Sequence, residues 1–290
     1  MIVDAHCHAW ARWPYDATHP DPQRGSIANL LYTMDAHAID RAVVVAAGLG
    51  VEDPRTDNTH NNAYIAAAVS DHPERLALFA DIDSFWSSAH HHRAGAVDRL
   101  DAVVDEFAPV GITHYVQGED DGWLVSGEGV AFFERVAAYG LIASLHVPPA
   151  WHNSLAELAS RVPALPILLH HQGLVPSGLR SDAGQQQRLL ALSSLPNVFL
   201  KISGFHYLTD RSWDYPFDDA GPLLHRLAAG FGSQRLMWGS DFPVCTQHVS
   251  LRQAIEVVQQ RLGFLSDREV GLVMGGSLQG LIDARADVAR

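Results

Sequence analysis

Ile2-Val3-Asp4-Ala5-His6-Cys7-His8 is a short, mostly apolar run that ends in two histidines one residue apart. Seven further runs of this kind follow, at Ala42–Ala47, Leu76–Ile82, Gly111–Gln117, Leu141–Val147, Pro166–His171, Val198–Ser203 and Leu236–Gly239. Helical spacing fills the gaps, as in Ile27, Leu30, Leu31 and Met34, or Val97, Leu100, Val103, Val104 and Phe107. Apolar runs buried on both faces and alternating with amphipathic helices mark a parallel sheet of βαβ units. Eight such units predict a closed (β/α)₈ barrel of the TIM type, with its active site at the C-terminal ends of the strands. An open, doubly wound sheet seldom needs so many regular repeats. Ser266 with Glu269 reads as a capping box for the last helix.

The composition fits this reading. The chain has 290 residues, 47% of them hydrophobic, and one barrel takes about 250 residues. We read residues 1–290 as a single domain. A net charge of −13 repels phosphate backbones and speaks against nucleic-acid binding. No stretch of about 18 apolar residues is present, so no membrane span is expected. The N-terminus has neither a basic region nor a long apolar run, so no secretory signal is expected. Two cysteines suit a reducing, cytoplasmic setting rather than a disulfide scaffold. The expected partner is a small-molecule substrate, and assembly into a homo-oligomer is left open. The run His90-His91-His92 reads as solvated loop or helix start.

Side chains alternate along a strand, so His6 and His8 face the same way while Cys7 faces the helix layer. By itself such a pair is more often two half-buried polar residues at a strand end than a metal or catalytic site. Three other strands end in polar groups as well. These are His146, then His170-His171-Gln172-Gly173, and then Trp238-Gly239-Ser240-Asp241-Phe242-Pro243. A structural core has little use for four histidines and an aspartate on one rim, because each would need its own buried partner.

With these motifs, and with Leu200-Lys201-Ile202-Ser203-Gly204, the chain resembles the amidohydrolase superfamily nearly end to end. The branch is that of compact lactonases and nonoxidative decarboxylases, amidohydrolase family 2. The resemblance implies a distorted (β/α)₈ barrel, hydrolase or lyase activity and, in many members, a divalent cation. Residue by residue it implies His6 and His8 as paired metal ligands, Asp241 as metal ligand and proton acceptor, and His146 as the ligand from the fifth strand. His171, two residues before Gly173, takes the position of the catalytic histidine of the sixth strand. The segment Gly275-Gly276-Ser277-Leu278 departs from the family's usual Gly-Gly-Asn-Ala, at a structural position.

Histidine and carboxylate ligands suit zinc or manganese. Two schemes use the same residues. Either a cation activates water and Asp241 takes its proton, or Asp241 alone is the base, and in both His171 polarises the carbonyl. Arg12, His114, Gln117, Lys201, His206 and Tyr207 are the candidate substrate-binding residues. The expected reaction is hydrolysis of a lactone, or a related cyclic or activated ester, of a small carboxylated or polyhydroxy molecule. A metal-dependent decarboxylase of an aromatic or unsaturated acid is the alternative, and a catalytically silent binding barrel is the alternative outside enzymes. The shortness of the chain leaves no room for the insertion arm that family decarboxylases tend to carry.

Overall fold

In the computed structural model, residues 1–288 are described. The strands are β1 (Val3–Cys7), β2 (Arg41–Val45), β3 (Leu76–Asp81), β4 (Gly111–Tyr115), β5 (Ile142–His146), β6 (Ile167–Leu169), β7 (Val198–Ile202) and β8 (Leu236–Trp238). They form one eight-stranded sheet in sequential order, each strand parallel to the next. Helices α1 (Ile27–Ala36), α2 (Asn61–Asp71), α3 (Ala96–Phe107), α4 (Gly127–Ala138), α5 (His152–Arg161) and α6 (Ala183–Ala191) lie between successive strands. A short α7 (Phe205–Leu208) and α8 (Gly221–Phe231) precede β8, and α9 (Leu251–Arg261), α10 (Asp267–Gly271) and α11 (Ser277–Val288) follow it. The architecture is the expected (β/α)₈ barrel.

Side chains at Ser26, Ser126, Asp182, Ser250 and Ser266 cap helix N-termini. The Ser266–Glu269 box is present, but the helix it starts is not continuous. A π-turn at Leu272–Gly276 separates α10 from α11. Leu278 and Ile282 of α11 then join Val3, Ala5, Val43, Ala77, Ile142, Leu168 and Met237 in the barrel's inner core.

The barrel closes without a regular β1–β8 ladder. Cys7 and Phe242 form an isolated parallel bridge, Asp241 N–H donates to the His6 carbonyl at 2.7 Å, and His8 N–H donates to the Phe242 carbonyl at 2.6 Å. The buried Asp4 carboxylate is the clasp. It accepts from His6 N–H and Ser240 N–H, both at 2.9 Å, and from the Ser240 hydroxyl at 2.5 Å. Gly239 makes the seam tight, since a Cβ there would lie 2.6 Å from His6 Cβ.

Strict alternation along β1 does not hold. The register with β2 slips between Asp4 and Cys7. Val3 and Ala5 belong to the inner core, and beyond the slip His6 and His8 face inward too, while Cys7 packs outside. One bulge thus gives β1 an apolar lower half and a histidine-bearing upper half on the same side. Both cysteines are free and buried.

Candidate active site

Strand alternation stacks a polar storey on the inner core. Ser144 and His146 stand above Ile142, Lys201 stands above Phe199, and His170 stands above Leu168. At the mouth, His6, His8 and Asp241 offer ligand atoms that all lie within 4.8 Å of one another. Asp241 Oδ1 is 3.4 Å from His6 Nε2 and 3.7 Å from His8 Nε2, and Oδ2 is 3.4 Å from His206 Nε2. Burial raises the Asp241 carboxyl to about 8, against the opposing pull of the Tyr207 hydroxyl beside it. Burial likewise lowers His8 and His146 to about 4 and His206 to about 3, and holds His6 and His171 well below the usual range. The histidines are therefore neutral at pH 7, and Asp241 is poised between acid and base.

Backbone geometry sets the two residues expected to do the chemistry. Asp241 has φ 58° and His171 has φ 46°, in the left-handed region that non-glycine residues rarely enter. Such conformations persist where the surroundings over-determine them. For Asp241 the surroundings include the seam with β1. For His171 they include Ser203 Oγ, 2.9 Å from Nδ1, and Gly204, where φ is 65° and a Cβ would lie 2.4 Å from the imidazole.

Lys201 is the only lysine in the chain. It is fully buried and does not reach the substrate cavity. Its ammonium group lies 2.9 Å from His6 Nδ1 and 2.7 Å from the Ser144 hydroxyl, which in turn lies 2.7 Å from His170 Nε2. Burial pushes its pKa well below the usual lysine range. Lys201 therefore governs the His6 tautomer. A charged Lys201 donates to Nδ1 and leaves the proton on Nε2, facing Asp241. A neutral Lys201 accepts from Nδ1–H and leaves a lone pair on Nε2. Lys201→Met is expected to keep the fold and lower kcat/KM by about 10–100-fold, the usual cost of losing a group that orients a site histidine. Lys201 acting through His6 also requires the pH–rate profile to move. Steady-state kinetics from pH 5 to 10 checks both.

The other expected site residues are distributed unevenly. His8, His146, His171, Tyr207 and Asp241 line one cavity of about 470 Å³. His146 stands apart from the three clustered ligand atoms, stacked on Tyr115, with its ring 5.9 Å from that of His170. The set of three therefore replaces the expected set of four as the arrangement the fold brings together.

Three expected substrate contacts are corrected. His114 faces the helix layer, with Nδ1 donating to the Ile82 carbonyl at 2.8 Å and its ring against Trp123 and Phe132. Gln117 is exposed beyond β4, and Arg12 is exposed, its guanidinium reaching the Asp57 carbonyl. Tyr115 is the β4 residue that enters the cavity. Its register partner in β5 is His146, and alternation carried across that pair would have identified it. Tyr15, Ala47, Leu49, Phe85, Trp86 and Leu174 complete the lining; Tyr15 lies in the proline-rich loop after β1 and Trp86 is an aromatic loop residue, both readable as pocket wall, whereas Leu49, Phe85 and Leu174 carried no sequence signal. His91 is a further correction. It is buried, not solvated, stacked on Trp123, with Nε2 2.9 Å from Asp121 and Nδ1 3.1 Å from His114 Nε2.

Histidine and carboxylate groups converging at the C-terminal rim of a (β/α)₈ barrel agree with the sequence match to the amidohydrolase family, which runs over residues 3–276. The chain belongs to that family. This amidohydrolase is 25% identical over 261 residues to an L-fucono-1,5-lactonase of Burkholderia ambifaria, covering 83% of this chain and 80% of that one. It spans only 37% of an uncharacterized protein of Sinorhizobium fredii, to which it is 31% identical over 112 residues. In structure it resembles an amidohydrolase from Burkholderia multivorans with bound zinc, at TM-score 0.78 and 20% identity, covering 98% of this chain and 99% of that one. Among the described residues, no helix is long and apolar enough to cross a membrane.

Proposed function

We propose that this amidohydrolase opens the ring of a lactone, with Asp241 as the proton carrier. One observation carries the reading. Asp241 is a buried carboxylate on the floor of an aromatic cavity, ringed by His6, His8 and His206 at 3.4 to 3.7 Å. The lactonase relative supports the choice of substrate class.

The site also suits a divalent cation. His8 Nδ1–H donates to the Val45 carbonyl at 2.8 Å, which leaves a lone pair on Nε2, and His6 Nε2 is buried without a hydrogen-bond partner. His6, His8 and Asp241 would hold the ion, zinc or manganese, and leave His146 and His171 for the substrate. A cation bound there supplies Lewis-acid activation of water.

The chain's own groups account for the remaining steps. Asp241 takes a proton from water as the water oxygen adds to the ester carbon. His171, with Nδ1 engaged by Ser203, turns Nε2–H toward the carbonyl oxygen and steadies its growing charge. The acyl–oxygen bond then breaks, and Asp241 returns the proton to the leaving alkoxide. One water is consumed, giving one hydroxyl and one carboxylic acid, which ionises. The free, buried thiols fit a cytoplasmic setting.

Hydrolysis in ¹⁸O-water tests the reading. Acyl–oxygen cleavage places the label in the product carboxylate, and label in the hydroxyl contradicts it. A second expectation concerns pH. In metal-free protein the carboxylate form of Asp241 is the active base, so kcat/KM rises with pH and levels off above about 8. A cation beside Asp241 favours its charged form and moves that rise to lower pH. A flat profile in the chelated protein, with activity retained at pH 5, removes Asp241 as the base.

A further inference from the structure

We infer that the lactone this site accepts has an uncharged, mainly apolar body, an aryl- or alkyl-substituted ring rather than a carboxylated or polyhydroxy one. The inference rests on the lactonase reading and concerns the same cavity. Ionisable groups sit at its floor, at Asp241, His8, His171 and His146, and Tyr15, Tyr115 and Tyr207 add phenol rings with their hydroxyls, while Leu49, Phe85, Trp86, Leu174 and Ala47 supply carbon surface around them. A volume of about 470 Å³ admits a lactone ring with a phenyl or medium alkyl substituent.

No arginine or lysine lines the cavity among the described residues, and the nearby cations are engaged elsewhere. Arg24 bonds His19 and Thr246 and lies over Trp13. Arg180 donates to the backbone carbonyls of Tyr207 and Thr209. Arg12 is exposed, and Lys201 lies beneath His6. A substituent carboxylate set against these walls, away from the His6, His8 and Asp241 group, would therefore lack a counter-charge, which is costly. The approach adds to that cost. Tyr15 and Trp86 also border an outer groove that carries Glu52, with Asp53 paired to Arg55, and a neighbouring groove at Trp86 carries Asp81, with Asp83 paired to Arg99. A chain of net charge −13 slows the entry of anions. Hydroxyl-rich substrates fare poorly for a related reason: each hydroxyl set against Leu49, Phe85 or Leu174 loses its water without gaining a partner.

The test compares kcat/KM on three lactones of matched ring size, one with a phenyl or alkyl substituent, one hydroxylated and one carboxylated. The apolar lactone is expected to lead both others by at least about 100-fold, a factor equal to about 2.7 kcal/mol. Leu174→Arg is expected to narrow the gap to the carboxylated lactone by at least about tenfold. Equal or better turnover of the carboxylated or hydroxylated lactone by the parent overturns the inference and leaves the lactonase reading intact. Calorimetric binding of unreactive ring ketones provides a readout independent of turnover. A neutral aryl ketone should bind at least about 100-fold more tightly than its carboxylated counterpart. That preference without hydrolysis of any lactone would retain the apolar ligand class and overturn the reaction, while absence of the preference overturns the ligand class.

Discussion

Asp241→Asn is expected to fold, to lose between about 10²- and 10⁴-fold in kcat/KM, and, with both proteins freed of metal, to melt at a higher temperature than the parent at pH 8. The two effects share one cause. Asparagine fills the same space beside His6, His8 and His206 but cannot take a proton from water. It also removes a carboxyl whose folded pKa, about 8, lies far above its ordinary value of 3.8. The sign follows from linkage. A raised pKa means that the folded state binds the proton more tightly, so the stability this contributes is full below about 3.8 and is lost as pH rises through about 8. The parent pays that loss and the asparagine variant does not. The gap in Tm between them should therefore widen from pH 4 to pH 8, which calorimetry across that range measures. A variant that is inactive and also less stable at every pH would mean that Asp241 holds the seam between β1 and the end of β8 more than it serves chemistry.

Asp4→Ala is expected to do the reverse, attacking the fold first. Asp4 satisfies His6 N–H, Ser240 N–H and the Ser240 hydroxyl, all buried at the seam. Alanine leaves these donors without an acceptor, at about 1–3 kcal/mol each when buried, so a total loss of at least about 3 kcal/mol is expected. For a chain of this size that lowers Tm by roughly 6 °C or more. Thermal melts check the stability. Any folded fraction should also lose activity, because His6 and Asp241 flank the same seam. A Tm within a degree of the parent would show that the Cys7–Phe242 bridge closes the barrel unaided.

The barrel was legible because parallel strands covered by helices must be apolar on both faces, and that requirement leaves a run of residues that stands out in composition alone. His6, His8, His171 and Asp241 were legible for a similar reason, as polar groups at the ends of apolar strands with no structural need for them. What escaped was set by distant partners. Lys201 read as a substrate-binding residue, whereas the fold brings the His6 ring and the Ser144 hydroxyl to it. His91 looked solvated because nothing near it in sequence covers it, while Trp123, Asp121 and His114 do so in space. The slip in β1 is invisible as well, since inserting one residue into the register leaves no mark on composition. Arg12 read as a substrate contact, yet the loop carries it outward to Asp57. Reach along a loop is not a property of the residue type.

The most direct test of the central claim is acid release, followed in a pH-stat at pH 8, from a panel of lactones by the parent and by Asp241→Asn. The account predicts one proton released for each ring opened by the parent, and release near background from the variant. Equal rates from the two proteins would contradict the role of Asp241. Silence on every lactone, with carbon dioxide evolved from an aromatic acid, would contradict the reaction itself.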